Sequence, residues 1–266
     1  MTRPEDERPM TAPLADRVAR LIEDLPRLPA VAQQALALLA DPATEPEHLE
    51  AVLARDPSLS LRVLRLANSA YYRRSREVRT LSAAIVFLGF RTLHTLVLTS
   101  AVQRVLAGAG RLAEPLWLHS YGAGIACREW ARRTRGGDPE EAFLAGLFHD
   151  VGKGVIALRF PRVYDEPAGV EGEAKALGFD HGELGRVLLE RWELPGSLAE
   201  AVGSHHADEP DGLGAVARLG DWVAWAAAPG VGAPEPDPPA GVARDEPLVA
   251  EIREAVAAAV AEEGAT

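Results

Sequence analysis

His149 and Asp150 stand side by side at the end of an apolar stretch, Phe143-Leu144-Ala145-Gly146-Leu147-Phe148. An imidazole nitrogen and a carboxylate oxygen delivered together suit a divalent cation, nitrogen for a borderline ion and oxygen for a hard one. Two residues cannot fill a coordination sphere, so a metal reading demands further ligands from elsewhere. Five of the seven histidines lie between 119 and 206. His119 shares a helical face with Ala123, Ala126 and Trp130. His181 falls in the first turn of a helix, where the dipole disfavours the protonated ring and leaves a lone pair free to ligate. His205 and His206 end the next helix, with His205 in line with Leu198 and Val202. Asp221 lies in Leu219-Gly220-Asp221-Trp222-Val223, an apolar setting in which an unpaired carboxylate is strongly unfavourable.

Each of these residues has a plainer reading. His119 can be a satisfied core histidine, His181 a cap-region residue, and His205-His206 imidazolium groups complementing a helix C-terminus. Asp150 can pair with Lys153, and Asp221 with a neighbour such as Arg218. His48 and His94 fit no constellation and read as structural or surface residues.

The elements that must carry these side chains are helical. Asp138 as N-cap, Pro139 at the first position and Glu141 as reciprocal partner open a helix over 139–150, with Gly152 breaking it. Leu14, Val18, Leu21, Ile22 and Leu25 have helical spacing up to Pro26, and Val31 to Leu39 forms a second helix. Thr44 with Glu47 reads as a capping box opening a helix to Asp56-Pro57. Ser58 to Ala70 follows, ended by Asn68 in a left-handed conformation, and Arg62 and Arg65 are placed to pair with Asp56. Thr80 caps Leu81 to Leu88, closed by Gly89, and Thr92 to Leu106 is a long helix. Further helices are expected at 115–134, 181–193 (capped by Asp180 and Glu183), 196–206, 213–228 and 248–262. The stretch 154–179 reads as connection. No alternation of period two extends over a strand's length, so the fold expected is all-α.

Residues 1–13 contain three prolines and no apolar periodicity, and read as disordered. Six prolines in 229–247 mark a linker before the last helix, which can dock on the domain or on a partner. A net charge of −11 argues against nucleic acid or an anionic membrane as partner. No basic-then-apolar leader and no run long enough to cross a bilayer are read from the sequence, so a cytoplasmic protein is expected. The single cysteine, Cys127, excludes an intrachain disulfide and any multi-cysteine zinc site, and reads as a small buried residue. Tyr71-Tyr72 before Arg73-Arg74-Ser75-Arg76 is the one basic cluster adjoining aromatics. It suits an acidic partner or a phosphate, or is a solvated patch.

His119, His149-Asp150 and Asp221, in this order and each on an expected helix, resemble the metal site of the HD-domain phosphohydrolases. The resemblance implies that these four residues hold one divalent ion (Mn, Fe, Mg or Zn), which can acidify water and clamp a phosphate. Bimetallic members add later histidines, for which His181, His205 and His206 are candidates, and Lys153 matches a position that can face a phosphate. The first half narrows the family. Leu25-Pro26-Arg27-Leu28-Pro29, Asp56-Pro57-Ser58-Leu59, Arg62-Val63-Leu64-Arg65-Leu66-Ala67-Asn68-Ser69-Ala70-Tyr71-Tyr72 and Leu81-Ser82-Ala83-Ala84-Ile85-Val86-Phe87-Leu88-Gly89 closely resemble the HDOD family, the HD-related output domain of bacterial signalling proteins. That resemblance covers roughly residues 25 to 225. It implies an N-terminal helical bundle, within 14–113, packed on an HD-like helical core, within 114–228. It also implies a regulatory role exerted through a signalling partner or a nucleotide ligand, with metal-dependent phosphoester hydrolysis as the alternative. His205-His206 is followed by Ala207-Asp208-Glu209-Pro210, without the Gly-Tyr-Pro motif of the relatives that hydrolyse cyclic di-GMP, which speaks against that reaction.

Overall fold

Leucine and alanine at helical spacing give helices throughout. A computed structural model of the chain describes residues 23, 25–69, 77–165, 169–210, 212–232, 236–239 and 247–264, and no strand occurs among them. The described helices are α1 (Ala30–Ala40), α2 (Pro46–Leu53), α3 (Pro57–Ala67), α4 (Leu81–Ala107), α5 (Ala113–Thr134), α6 (Pro139–Phe148), α7 (Val151–Arg159), α8 (Gly169–Leu177), α9 (His181–Arg191), α10 (Gly196–Ser204), α11 (Gly212–Ala224) and α12 (Pro247–Gly264). Short 3-10 turns lie at Gly110–Leu112 and Pro161–Tyr164. The segment 1–13, the helix expected from Leu14, and the Tyr71–Arg76 cluster fall outside the described residues.

α1 to α3 pack on the first part of α4 around Leu49, Leu53, Leu59, Val63, Ile85, Leu93 and Val97. From Leu98 onward α4 turns its apolar face to a second core, with Leu106, Leu116, Phe148, Ile156, Leu188 and Trp192. One long helix thus forms the wall shared by the N-terminal bundle and the core that carries the histidines. Trp192 adds a tie, its ring N–H donating to the Pro26 carbonyl at 2.8 Å. α4 is the described element long and apolar enough to cross a membrane by length and composition, which the sequence reading had not found. The two expected segments run on across Gly89 (φ 75°, ψ 162°), and the resulting element is bent there and packed into both cores.

α12 docks on the domain. Val249, Ile252, Val256 and Val260 are buried against Ala123 and Ala126 of α5 and Trp222, Val223 and Ala224 of α11. It runs antiparallel to α5: Arg133 pairs with Glu251 at one end, and the Trp117 indole donates to Glu263 at the other, at 3.0 Å.

Several local expectations are corrected. The N-cap position of α2 is Glu45, without a side-chain cap, because Pro46 occupies the first helical position and shifts the start past Thr44. Asp56 caps α3 through the Leu59 amide and pairs with Arg104 of α4, while Arg62 bonds Gln103; packing of α3 on α4 thus supplies Asp56 with a cation other than Arg62 or Arg65. Asn68 is not left-handed (φ −100°, ψ 3°). Its side chain instead bonds the carbonyls of Leu64 and Val78 and the amide of Val78, tying both ends of an excursion to α3. Gly152 breaks nothing: α6 ends at Phe148, and the chain turns at His149-Asp150 directly into α7. What Gly152 provides is proximity, since a methyl group there would sit 2.0 Å from the His181 carbonyl oxygen. The stretch 154–179, expected as connection, holds most of α7, a 3-10 turn and α8.

Two further close approaches align the ligand-bearing helices. A methyl group at Gly146 of α6 would meet the Ala123 carbonyl oxygen at 2.5 Å and Cys127 Sγ at 2.6 Å. One at Gly220 of α11 would meet the same two atoms at 2.7 and 2.3 Å. α6 and α11 therefore press on one turn of α5, the turn that follows His119. Gly146→Ala is expected to cost about 1–3 kcal/mol through overpacking against backbone. Gly196→Ala, where nothing lies within 4 Å, should stay within about 0.5 kcal/mol. Urea denaturation of both variants checks this, and equal stabilities would contradict the packing account.

Candidate metal centre

The turn between α6 and α7 places His149 and Asp150, α5 supplies His119, α9 begins with His181, α10 ends beside His205 and His206, and α11 carries Asp221. The full capping box expected at Asp180 and Glu183 forms, fixing the start of α9 and hence the position of His181. His119, His149, Asp150 and His205 have no exposed surface and His181 is 1% exposed, whereas Asp221 keeps 8% of its surface and His206 is exposed. His48 is exposed and His94 half-buried, both apart from this cluster.

Ring orientation is set from behind. Nδ1 of His119 lies 2.7 Å from the Ala228 carbonyl oxygen, Nδ1 of His149 2.7 Å from that of Gly146, and Nδ1 of His205 2.7 Å from that of Val202. A carbonyl oxygen only accepts, so each Nδ1 carries a proton, and Nε2 is the atom each ring turns toward the cluster. His181 leans on a carboxylate instead, its Nδ1 2.7 Å from Glu173 Oε2.

The Nε2 atoms converge with the carboxylates. Around Asp150 Oδ2 lie His149 Nε2 at 3.4 Å and His119 Nε2 at 3.9 Å. Asp221 Oδ1 is 2.9 Å from His119 Nε2 and 3.8 Å from His149 Nε2. The other oxygen, Asp150 Oδ1, is 3.2 Å from His181 Nε2, which in turn is 3.4 Å from His205 Nε2 and 3.1 Å from His206 Nε2. Two sets result: His119, His149 and Asp221 on one side, His181, His205 and His206 on the other, with the Asp150 carboxylate between them. His149 Nε2 is buried with no hydrogen-bond partner, and Asp150 Oδ1 has His181 Nε2 beside it at 3.2 Å. Such an orphaned nitrogen fits a divalent cation held by nitrogen and oxygen donors. Asp221 takes His119 rather than Arg218, whose guanidinium goes to the Ala207 carbonyl.

Lys153 is buried, its ammonium 2.8 Å from Asp150 Oδ2. Burial opposes its charge, but Asp150 and Asp221 outweigh this and raise its pKa. Burial also opposes ionisation of Asp150 and Asp221. His149 and Lys153 hold the first well below the usual carboxylate range, and His119 lowers the second. Burial, reinforced by the neighbouring imidazoles, pushes His205 well down and His206 down to about 4, so both rings are neutral at pH 7. His181 differs: burial and Lys153 press it down, but hydrogen bonds to Asp150 and Glu173 hold it up at about 9.

Glu173, Tyr164 and the Ala228 carbonyl were not foreseen as parts of this site. Glu173 sat in a stretch taken as connection, although Val170, Glu173 and Leu177 share helical spacing that could have placed it on a buried face.

The protonated His181 stabilises the metal-free fold fully below the ordinary value of 6.5, and this contribution fades as pH rises through about 9. A cation must displace that proton, so affinity at the His181 side is expected to rise about tenfold per pH unit between pH 6 and 8, with proton release. Calorimetric titration in buffers of different ionisation enthalpy checks it; a pH-independent affinity would contradict the assignment.

Comparison with known proteins identifies the family to which this helical architecture belongs. The HDOD domain profile matches residues 25–208. An HDOD domain protein of unknown function from Geobacter sulfurreducens superposes with a TM-score of 0.70 at 25% identity, covering 95% of this chain and 93% of that one. A protein from Shewanella amazonensis, named as a candidate phosphohydrolase, superposes with a TM-score of 0.65 at 27% identity, covering 92% and 93%. An uncharacterized protein of Treponema pallidum is 25% identical over 74% of this chain, which spans only 40% of that relative's length. With the profile match over most of its length and the helical architecture those relatives share, this chain belongs to the HDOD family.

Proposed function

We propose that this chain is a metal-loaded regulatory domain. In this reading its inward-facing imidazoles and carboxylates hold two divalent cations that share Asp150, and the loaded domain acts by binding a signalling partner or a nucleotide. The observation that carries it is the convergence of imidazole Nε2 atoms on two carboxylates, with ring Nδ1 atoms fixed from behind and His149 Nε2 left without a hydrogen-bond partner. An imidazole-rich set with few oxygens favours manganese, iron or zinc over magnesium. Burying six of these polar groups side by side is eased by the cations' compensating charge, so loading would couple to the packing of five helices and make the domain's shape depend on metal. Closure over the first set supports a binding role over turnover, because His119 and His149 have no exposed surface and Asp221 keeps 8%. The Trp225 ring stands edge-on to His119 with centroids 6.0 Å apart, and Gly230 lies against Trp225.

A second reading, metal-dependent hydrolysis of a nucleotide or phosphoester, is favoured by the completeness of the ligand set and by the exposed edge at His206. A divalent cation in such a site supplies Lewis acidity toward a phosphoryl group and acidifies water. Lys153 would then leave Asp150 to meet the phosphate, and His206 would mark the side of entry.

The His149→Ala/Asp150→Ala double variant separates the readings. Elemental analysis is expected to find about two metal ions per wild-type chain and a loss of most of them in the variant, with the helical circular dichroism retained. Manganese-loaded wild type is expected to leave cyclic dinucleotides, nucleoside phosphates and p-nitrophenyl phosphate intact. Turnover that disappears in the double variant would establish the hydrolase reading instead.

A further inference from the structure

Glu173 is fully buried on α8, and its two oxygens serve three donors. Oε2 accepts from the backbone N–H of His181 at 2.8 Å and from its Nδ1 at 2.7 Å. Oε1 accepts from the Tyr164 hydroxyl at 2.8 Å. His119, His149 and His205 lean on neutral carbonyl groups, whereas His181 leans on a carboxylate. The two ligand sets are also unequal in charge. The first has Asp221 and one oxygen of Asp150; the second has the other oxygen of Asp150 and three imidazoles. A cation on the second side therefore meets less negative charge directly, and the ammonium of Lys153 on Asp150 lowers it further. A carboxylate behind an imidazole fixes the ring and makes its free nitrogen a better donor to a metal.

We propose that Glu173 is a positioning residue that controls loading of the second cation, on the His181 side, by acting through His181. The inference rests on the two-cation reading of the cluster. It joins α8 and the 3-10 turn bearing Tyr164 to the metal centre, so that the segment leading into α9 prepares the site as well as packing on it.

A purely structural role predicts something different, and Glu173→Gln distinguishes them. The carboxamide oxygen can accept from both His181 donors while the amide donates to the Tyr164 oxygen, so the shape survives and the charge is lost. Cobalt(II) titration followed by its visible absorption reads both positions, with metal-free thermal unfolding alongside. The expected result is that E173Q binds the first ion as wild type does, binds the second about 10–100-fold more weakly, and still unfolds in one cooperative transition without metal. Glu173→Asp, which retains the charge at shorter reach, should hold the second ion more tightly than E173Q, and it supplies the readout if E173Q does not fold. Two ions bound by E173Q with wild-type affinity, or equal losses in the Gln and Asp variants, would overturn the role of Glu173 while leaving the two-cation reading standing. Wild type that takes up no cobalt would overturn both.

Discussion

Four imidazoles turning their Nε2 atoms toward one another and toward two carboxylates form an arrangement that a buried site tolerates only when protons or a cation balance its charge. Here it is imposed from outside the cluster. The carbonyl groups of Ala228, Gly146 and Val202 and the carboxylate of Glu173 each take the proton-bearing nitrogen of one ring, so the other nitrogen can only face inward. Those acceptors belong to four different parts of the chain. The cluster is therefore a product of the tertiary fold, and anything that displaces one acceptor loosens one ligand.

Helix packing brings the acceptors and rings into register. α6 and α11 approach the same turn of α5 so closely that Gly146 and Gly220 leave no room for a methyl group against Ala123 and Cys127. That approach sets His149 and Asp221 beside His119. α12 presses its valines and Ile252 on the outer side of the same α5–α11 pair, so the C-terminal helix braces two of the ligand-bearing elements from behind. The N-terminal bundle reaches the site less directly, through α4 and the Trp192 tie to Pro26.

Much of this is legible in the sequence. Capping residues such as Asp138, Thr80 and Asp180 with Glu183 mark helix starts because their chemistry is local. Every histidine singled out between 119 and 206 enters the cluster, since polar residues on apolar helical faces must find partners inside. What stays hidden depends on partners distant in sequence. Asp56 goes to Arg104, not to a neighbour on its own helix; Glu173 meets His181 across a turn; Gly152, read as a helix stop, serves close approach of α7 and α9. α7 and α8 were missed because their helical periodicity is short and interrupted by glycines.

The picture that emerges is of a helical HDOD domain built around an inward-facing polar centre, with the N-terminal bundle on one side and a bracing helix on the other. The most direct measurement of its central claim is anomalous X-ray scattering from crystals of the protein loaded with manganese. The account predicts two anomalous peaks flanking the Asp150 carboxylate, one among His119, His149 and Asp221, the other among His181, His205 and His206. Absence of both peaks, with Lys153 still bonded to Asp150, would contradict it and leave the cluster as a hydrogen-bonded core.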